Sequence, residues 1–164
     1  MGIKCILMVI AGSGILLASV SLTEYPPSII YNPSQSAPIG FYLIEQKVTP
    51  DVGDYILIGL PNAVKEMAIE RRYVGPNIPL LKKIFATSGD NICSKDGQVY
   101  VNDQPVIKVK THDPSGRILP IWNGCGVLKQ GEYFLLNLHS DYSFDSRYFG
   151  PVMQNKIIGV AIYF

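Results

Sequence analysis

The sequence predicts a mainly β fold in which a β-rich domain with one short helix follows a single apolar N-terminal segment. The chain has 164 residues, enough for one domain of ordinary size. Its 12 prolines, 15 glycines and ten tyrosines are typical of strands joined by many turns. Short apolar runs recur between turn residues, and one segment after the N-terminus has a helical pattern. These observations favour a compact arrangement of short strands.

The N-terminus predicts a transmembrane helix. Lys4 precedes an uncharged run of 18 residues, 5–22, which lies at the lower limit for spanning a bilayer. The positive charge favours an orientation that sends the rest of the chain outward. Small residues near the end of the run leave a cleaved signal sequence as the alternative. We therefore divide the chain into an anchor or signal sequence at 1–22, a proline-stiffened connector at 23–31 and an outward domain at 32–164.

The elements of the domain follow from apolar runs and turn residues. The helical pattern begins at Asn62, a suitable capping residue, and the Gly75-Pro76 pair ends it near residue 73. Gly89-Asp90 predicts a turn, and Asn102-Asp103 predicts the tip of a hairpin. The polar stretch 111–126 predicts a surface excursion. Strands are predicted at 41–45, 55–59, 80–86, 98–101, 106–109, 131–137 and 157–164.

Charge and histidine content argue against two classes of function. The formal net charge is +1, and the chain has no basic block of the kind that binds nucleic acid. His112 and His139 are far apart and lack cysteine or carboxylate neighbours at metal-ligand spacing. The sequence therefore predicts no nucleic-acid partner, no metal site and no cofactor.

The stretch 32–42 reads N-P-S-Q-S-A-P-I-G-F-Y and places Ser34 and Ser36 between two prolines. Pro33, Pro38 and Gly40 favour a stiff extended or turning segment over a helix. Such a segment presents hydroxyl groups to a cleft. Taken alone, the stretch is also typical of a Ser/Pro linker that leaves a membrane anchor.

The predicted strand at 80–86 contains two lysines in an otherwise apolar run. Alternation along a strand sends Lys82 and Lys83 to opposite faces, so one of them points toward the apolar side. Burial of an amine disfavours its charged form and lowers its pKa. The alternative is a pair of edge-strand lysines whose ammonium groups reach water.

The order of four motifs carries a family resemblance. Ser-x-Ser-x-Pro-x-Gly-x-Tyr is followed by a Gly-Asp turn before an apolar strand, then by a strand with lysine and a second Gly-Asp, and finally by Asp-Ser-Arg. In this order the chain resembles the type I signal (leader) peptidase family from about Asn32 to its C-terminus. It is most similar to the TraF-type pilin-maturation peptidases of conjugative transfer. The resemblance implies a signal-peptidase-like β-rich catalytic domain.

The resemblance implies a role for each residue of a Ser-Lys site. Ser36 matches the nucleophile, and Ser34 matches the hydroxyl that assists the Ser36 amide in the oxyanion hole. Lys82 matches the general base, and Lys83 falls where the family usually has arginine. Ser143 matches the residue that hydrogen-bonds the catalytic amine. A serine paired with a neutral lysine is a known variant of the nucleophile–base pair.

Asp145 and Arg147 match a supporting pair near the site, and we expect them to hold a turn. The chain departs from the family at three points. Ala37 stands where methionine is common, Leu138 and His139 replace an Asp-Asn pair, and the large second domain of some members is absent. We expect the two substitutions to affect substrate preference more than chemistry. His139 lacks an orienting carboxylate at a recognisable position, which argues against a catalytic role.

Two cysteines of the outward domain suggest a disulfide. The predicted orientation places Cys93 and Cys125 on the side of the membrane where oxidising conditions allow disulfides to persist. We expect them to be bridged and Cys5 to be a packing residue of the apolar segment.

The resemblance implies a serine endopeptidase anchored in the bacterial inner membrane, with its catalytic domain in the periplasm. Its expected partners are a pilin precursor or another exported protein, the inner membrane and the type IV secretion machinery of conjugation. Resolution of the acyl-enzyme by the pilin's own amine instead of water gives head-to-tail cyclisation. Alternatives are general removal of signal peptides and a non-catalytic periplasmic subunit of a pilus or secretion machine. A repressor-type autoprotease is disfavoured because the N-terminus is apolar.

Overall fold

The computed structural model describes residues 28–46 and 49–164. The predicted anchor and most of the connector lie outside these ranges. Among the described residues, none of the helices combines the length and apolar character that a bilayer crossing requires.

The described residues form two antiparallel sheets. Two α-helices, α1 (Asn62–Glu70) and α2 (Ser146–Phe149), and a 3-10 turn (Gln154–Lys156) connect strands. The larger sheet has the order β1-β2-β11-β3-β4-β9-β10, and the smaller one has the order β7-β6-β5-β8. The strands are β1 (Ile29–Asn32), β2 (Gly40–Glu45), β3 (Tyr55–Ile58), β4 (Leu80–Ala86), β5 (Asn91–Lys95), β6 (Gln98–Val101), β7 (Gln104–Lys108), β8 (Cys125–Val127), β9 (Glu132–Leu135), β10 (Val152–Met153) and β11 (Ile157–Tyr163).

Two apolar clusters stabilise this arrangement. The main cluster joins the larger sheet to helix α1 and the smaller sheet through fully buried side chains such as Ile56, Ile92 and Phe134. A second cluster includes Leu57 and Leu81, whose neighbours along β3 and β4 belong to the main cluster. The two middle strands β3 and β4 therefore contact apolar clusters on both faces, which explains the apolar run of β3 and the apolar residues on either side of the two lysines of β4.

The predicted strands are confirmed, with ends that differ by a few residues. The predicted turn at Asn102-Asp103 joins β6 to β7, and both residues have positive φ (50° and 63°). Asparagine and aspartate tolerate this conformation, which matches the twist of the two strands. The stretch 111–126 consists mostly of irregular structure, with one isolated bridge between His112 and Ile118. The mainly β fold class is therefore confirmed.

The predicted helix differs from α1 at both ends. Pro61 occupies the capping position and Asn62 is already helical without a capping side-chain bond, so the prediction of Asn62 as cap is wrong. The helix ends at Glu70, before the predicted end at residue 73, because Arg72 adopts φ 59° and turns the chain. Helix α2 was not predicted, because four residues are too few to show a periodic pattern.

The sheet begins within the predicted connector. Strand β1 pairs with β2 from Ile29↔Leu43 to Asn32↔Gly40, so the serine stretch is the loop of a β-hairpin. Gly40 has φ 151°, and a Cβ there would lie 2.7 Å from Cε2 of Tyr163. Only glycine fits this position without displacing the tyrosine. The hairpin fixes both ends of the loop that carries Ser34 and Ser36.

Candidate active site

The serine loop is shaped by a buried asparagine at its start. The Asn32 side-chain amide donates to the carbonyls of Ser34 (3.0 Å), Ala37 (3.2 Å) and Pro38 (3.0 Å). Its Oδ1 accepts from the Ser34 amide at 3.2 Å. Ala37, at 4% exposure, packs into the second apolar cluster. The loop is therefore a defined turn, as the prolines predict, and it leaves Ser36 partly accessible.

The two serine hydroxyls are hydrogen-bonded to each other. Ser34 Oγ lies 3.0 Å from Asn32 Oδ1, an atom that only accepts, and 2.8 Å from Ser36 Oγ. Because a hydroxyl has one proton and Ser34 donates it to Asn32, Ser36 is the donor in the Ser34–Ser36 bond. In this structure the Ser36 proton is therefore directed toward Ser34. No hydrogen bond joins the Ser36 amide to another residue within the described ranges.

Lys82 is buried in the middle of the larger sheet. It pairs with Ile56 across β3 and β4, and its side chain is 4% exposed. Its Nζ donates to Ser143 Oγ at 3.2 Å. Burial lowers the pKa of Lys82 from 10.5 to about 8, although the charge of Asp145 opposes this shift and that of Arg147 supports it. A substantial fraction of the amine is therefore neutral near pH 8.

The neighbouring Lys83 is less buried than Lys82, as alternation along a strand predicts. Its side chain is only partly buried, and Nζ lies 5.7 Å from the centre of the Tyr55 ring. No pair of edge-strand lysines exists here, because β4 lies between β3 and β9 within the sheet.

Asp145 and Arg147 form a fully buried ion pair. Arg147 Nε lies 2.8 Å from Asp145 Oδ1, and both side chains have 0% exposure. The guanidinium also donates to the carbonyls of Ser143 (2.9 Å) and Ser140 (3.2 Å). Asp145 caps helix α2 by accepting from the Arg147 amide. The pair therefore holds the segment that carries Ser143.

A second buried asparagine links the serine loop to this region. Asn137, 2% exposed, donates from its side-chain amide to the carbonyl of Ser36. Its side-chain Oδ1 accepts from the backbone amide of Lys83 at 2.8 Å, and the backbone amide of Asn137 donates to Asp145 Oδ2 at 3.2 Å. The residue directly follows Leu136 at the end of the predicted strand 131–137.

A cavity of about 680 Å³ brings the candidate residues together. Ser34, Ser36, Lys82 and Ser143 all line it, and most of its other lining is apolar. Asp145 and Arg147 do not line the cavity and act behind Ser143. His139 is exposed and is not part of the lining.

One wall of the cavity comes from the irregular stretch 111–126. Asp113 accepts from the Tyr73 hydroxyl and from Arg117 Nε, each at 2.6 Å. These hydrogen bonds contribute to holding the pKa of the Asp113 carboxyl well below its usual range, although its burial acts in the opposite direction. Arg71 ties the same stretch to the end of α1 by donating to the carbonyl of Ile118 at 2.6 Å. The stretch predicted as a surface excursion is thus part of the cavity wall.

Sequence reasoning assigned no role to Asn32 and Asn137. Asn32 precedes Pro-Ser-x-Ser directly, and an asparagine in such a position often bonds to the backbone of the turn that follows. Asn137 ends an apolar strand, which indicates a buried polar group with specific partners. The two partners of its side chain, Ser36 and Lys83, are separated from it by long stretches of sequence, so only the folded chain identifies them.

Cys93 and Cys125 face each other across β5 and β8, with their Cα atoms 4.0 Å apart, and are joined by a disulfide. The bridge lies in the smaller sheet. Neither cysteine lines the cavity.

The sequence of the chain matches a known protein family. The family model described as "Signal peptidase, peptidase S26" matches residues 3–164. The chain therefore belongs to the S26 signal peptidase family, and this membership implies a serine peptidase.

Individual relatives fall in two groups. The chain is 33% identical to the plasmid transfer protein TraF of Escherichia coli over 91% of this chain and 88% of the relative. It is 28% identical to the conjugal transfer protein TraF of Agrobacterium fabrum over 96% and 94%. It is 32% identical to signal peptidase I V of Bacillus subtilis over 49% and 54%. The similarity to the transfer proteins extends over nearly the whole chain.

Proposed function

We propose that the protein is a membrane-anchored serine endopeptidase that processes exported pilin precursors during conjugative pilus maturation. The observation that carries this proposal is that Ser36 and the buried, partly neutral Lys82 line one cavity. Similarity over nearly the whole chain to proteins named for plasmid and conjugal transfer supports a substrate of the conjugation machinery.

Acylation begins with transfer of the Ser36 proton to neutral Lys82. The Ser36 hydroxyl first turns away from Ser34 toward the amine, and Ser143 holds the amine in place. The Ser36 oxygen then attacks the scissile carbonyl. Collapse of the tetrahedral intermediate breaks the peptide bond, and the leaving amine takes a proton from the Lys82 ammonium. The product is an ester between Ser36 and the acyl part of the substrate.

The oxyanion of the tetrahedral intermediate requires hydrogen-bond donors. The Ser36 amide is free of partners among residues 28–46 and 49–164 and serves as the first donor. The Ser34 hydroxyl serves as the second after it releases Asn32 Oδ1. Preorganised donors of this kind contribute strongly to the rate of acyl transfer.

The acyl-enzyme has two possible fates. Water attacks the ester to give a linear product and free Ser36, or the pilin's own terminal amine attacks it to give a cyclic product. In both cases Lys82 accepts the proton of the nucleophile and returns one to Ser36. The cyclic product is lighter than the linear product by one water.

Co-expression with a candidate pilin tests the proposal. Wild-type protein yields a mature pilin by intact mass, and we expect Ser36→Ala and Lys82→Ala to leave the precursor intact. Matched controls are Ser115→Ala, an exposed serine outside the cavity lining, and Lys83→Ala on the opposite face of the strand. Both controls should process normally. Processing by Ser36→Ala and Lys82→Ala would instead support a non-catalytic subunit.

General removal of secretory signal peptides is the second candidate, supported by family membership and by the similarity to signal peptidase I V. Expression of this protein in a strain depleted of its own signal peptidase distinguishes the two candidates. Secretory precursors accumulate in a strain depleted of its own signal peptidase, and this protein relieves that accumulation only under the second candidate.

We propose an inner-membrane location with the domain in the periplasm. An exposed apolar face supports it, because this face begins at Ile29, shortly after the uncharged run 5–22. Such a face suits contact with lipid. Its members are Ile29, Tyr31, Phe41, Leu43, Ile162 and Phe164.

Fractionation tests this location. We expect the protein in the membrane fraction, with its domain digested by protease in spheroplasts, and an intact mass that retains residues 1–22. A mass without these residues would identify a cleaved signal sequence.

A further inference from the structure

Asn137 uses its side chain to join two segments that carry the candidate nucleophile and base. Its amide nitrogen donates to the Ser36 carbonyl, and its oxygen accepts from Lys83, whose amide belongs to the peptide bond that follows Lys82. The side chain is 2% exposed, and both polar ends have partners. A buried amide with satisfied donor and acceptor groups holds its neighbours in a unique geometry.

The other hydrogen bonds of the serine loop act mainly within it. Asn32 bonds to Ser34, Ala37 and Pro38, all of which belong to the loop. These bonds set the shape of the loop without setting its distance from β4. The packing of Ala37 near Leu81 and the bond from Asn137 connect the loop to that strand.

The Asn137 bond is directional where the Ala37 contact is not. A hydrogen bond to the Ser36 carbonyl restrains rotation about the Cα–C bond of Ser36 and thereby orients the residue. The backbone of Asn137 is fixed in turn by its amide's bond to Asp145 at 3.2 Å. Leu136 adds a bond to the Lys83 carbonyl at 3.1 Å, which fixes the end of β9 against β4.

We infer that Asn137 is a positioning residue that sets the Ser36 hydroxyl at reacting distance from Lys82. The inference rests on the proposed function, since it assigns these two residues the roles of nucleophile and base. Displacement of reacting groups by about 1 Å costs roughly a hundredfold in rate. Loss of the bond should therefore lower kcat and leave KM close to the wild-type value.

Two variants distinguish loss of the hydrogen bond to the Ser36 carbonyl from loss of both side-chain hydrogen bonds of Asn137. Asn137→Asp has nearly the same shape and keeps an acceptor for the Lys83 amide, but its carboxylate cannot donate to Ser36. Asn137→Ala removes both bonds. Asn155→Asp is the matched control, because this asparagine is exposed and lies outside the cavity lining.

The measurement is single-turnover cleavage of a precursor by the full-length protein across a range of pH, with the melting temperature of each variant. We expect a loss of about a hundredfold in kcat for Asn137→Asp and Asn137→Ala, and none for Asn155→Asp. In Asn137→Ala the pH at half-maximal rate should stay near that of the wild type, because the surroundings of Lys82 are intact.

Two results would overturn the inference. One is a folded Asn137→Asp with a rate within about twofold of the wild type, smaller than any loss expected from misplacement. The other is a half-maximal pH in Asn137→Ala that moves toward the ordinary pKa of lysine, which would assign Asn137 to the lysine pocket. If Asn137→Ala does not fold, the plateau rate of Asn137→Asp at high pH decides, because the new carboxylate raises the pKa of Lys82 and by itself lowers the rate near pH 8. Processing by Ser36→Ala would show that the proposed function itself has failed. If Asn137→Asp processes the precursor normally and Ser36→Ala does not, the inference on Asn137 fails and the proposed function stands.

Discussion

The charge state of Lys82 depends on three neighbouring features. Burial disfavours the ammonium, Asp145 favours it, and Arg147 opposes Asp145. A carboxylate near a lysine favours the charged amine. The structure pairs the Asp145 carboxylate with the Arg147 guanidinium, so that the effect of the carboxylate on the amine is partly cancelled. The pKa of Lys82 is consequently about 8.

The rate of acylation should rise with pH and level off above about pH 8. A base acts only when unprotonated, and Lys82 loses its proton as the pH rises through its pKa of about 8. At pH 7 roughly a tenth of the molecules would carry the neutral amine. The measurement is kcat/KM from pH 6 to pH 10, with Lys83→Ala as control. A rate independent of pH over this range would contradict Lys82 as the base.

Replacement of Ser34 tests the second oxyanion donor. Ser34→Ala removes a hydroxyl that lies 2.8 Å from Ser36 Oγ and leaves Ser36 in place. Loss of one oxyanion donor commonly lowers kcat about a hundredfold or more. We expect a loss of that size in kcat with a smaller change in KM. Ser115→Ala should cleave at the wild-type rate.

At the scale of elements, the candidate site depends on how one short helix is held. Helix α2 has four residues and begins at the buried pair of Asp145 and Arg147. The guanidinium bonds to carbonyls of the segment that precedes the helix, including that of Ser143. The Asp-Ser-Arg motif therefore acts through the position of Ser143 and through the charge near Lys82.

Arg147→Met should lower both stability and activity. It leaves the Asp145 carboxylate buried without its partner, and loss of one member of a buried pair costs about 3–5 kcal/mol. The uncompensated carboxylate also raises the pKa of Lys82, so the half-maximal rate should move to higher pH. Urea unfolding and the pH profile measure the two effects. The double variant Arg147→Met/Asp145→Leu should recover much of the lost stability, and equal instability of both variants would contradict this account.

At the scale of the whole molecule, the two sheets have different roles. The larger sheet carries the serine loop and Lys82, while none of the four strands of the smaller sheet contributes a residue to the cavity lining. The disulfide joins two strands of the smaller sheet over a sequence separation of 32 residues. Its contribution should therefore be to stability.

Removal of the disulfide should destabilise the protein and spare its chemistry. In the loop-entropy model, closure of such a loop contributes about 3–4 kcal/mol. We expect Cys93→Ala/Cys125→Ala to lose about that much free energy of unfolding and to keep kcat near the wild-type value at temperatures where it is folded. Thiol labelling of the unreduced, denatured protein provides the control, and two labelled cysteines would show that no bridge exists in solution.

Much of the fold was predictable because strands and turns are local features. The alternation around Lys82, the turn at Asn102-Asp103 and the proline-bounded serine loop each follow from neighbouring residues. Helix α2 was not predictable because four residues are too few to show a periodic pattern. The start of the sheet at Ile29 was not predictable because it depends on pairing with β2 across the serine loop. The prediction that Asn62 caps helix α1 was wrong because Pro61 occupies the N-terminal capping position and Asn62 is already helical.

The sequence alone determined the mainly β class, the residue types of the predicted Ser-Lys site and the placement of Lys82 and Lys83 on opposite faces of one strand. The fold decided that Lys82 is buried, because it sets β4 inside the larger sheet. The fold determined how these groups are oriented: the Ser36 proton is directed to Ser34, the charge of Asp145 is partly cancelled by that of Arg147, and Asn137 joins the serine loop to β4. Local preferences act over a few residues along the chain. Hydrogen bonds and charges act over a few ångströms in space, and only folding brings residues 36, 82, 137 and 145 within that range.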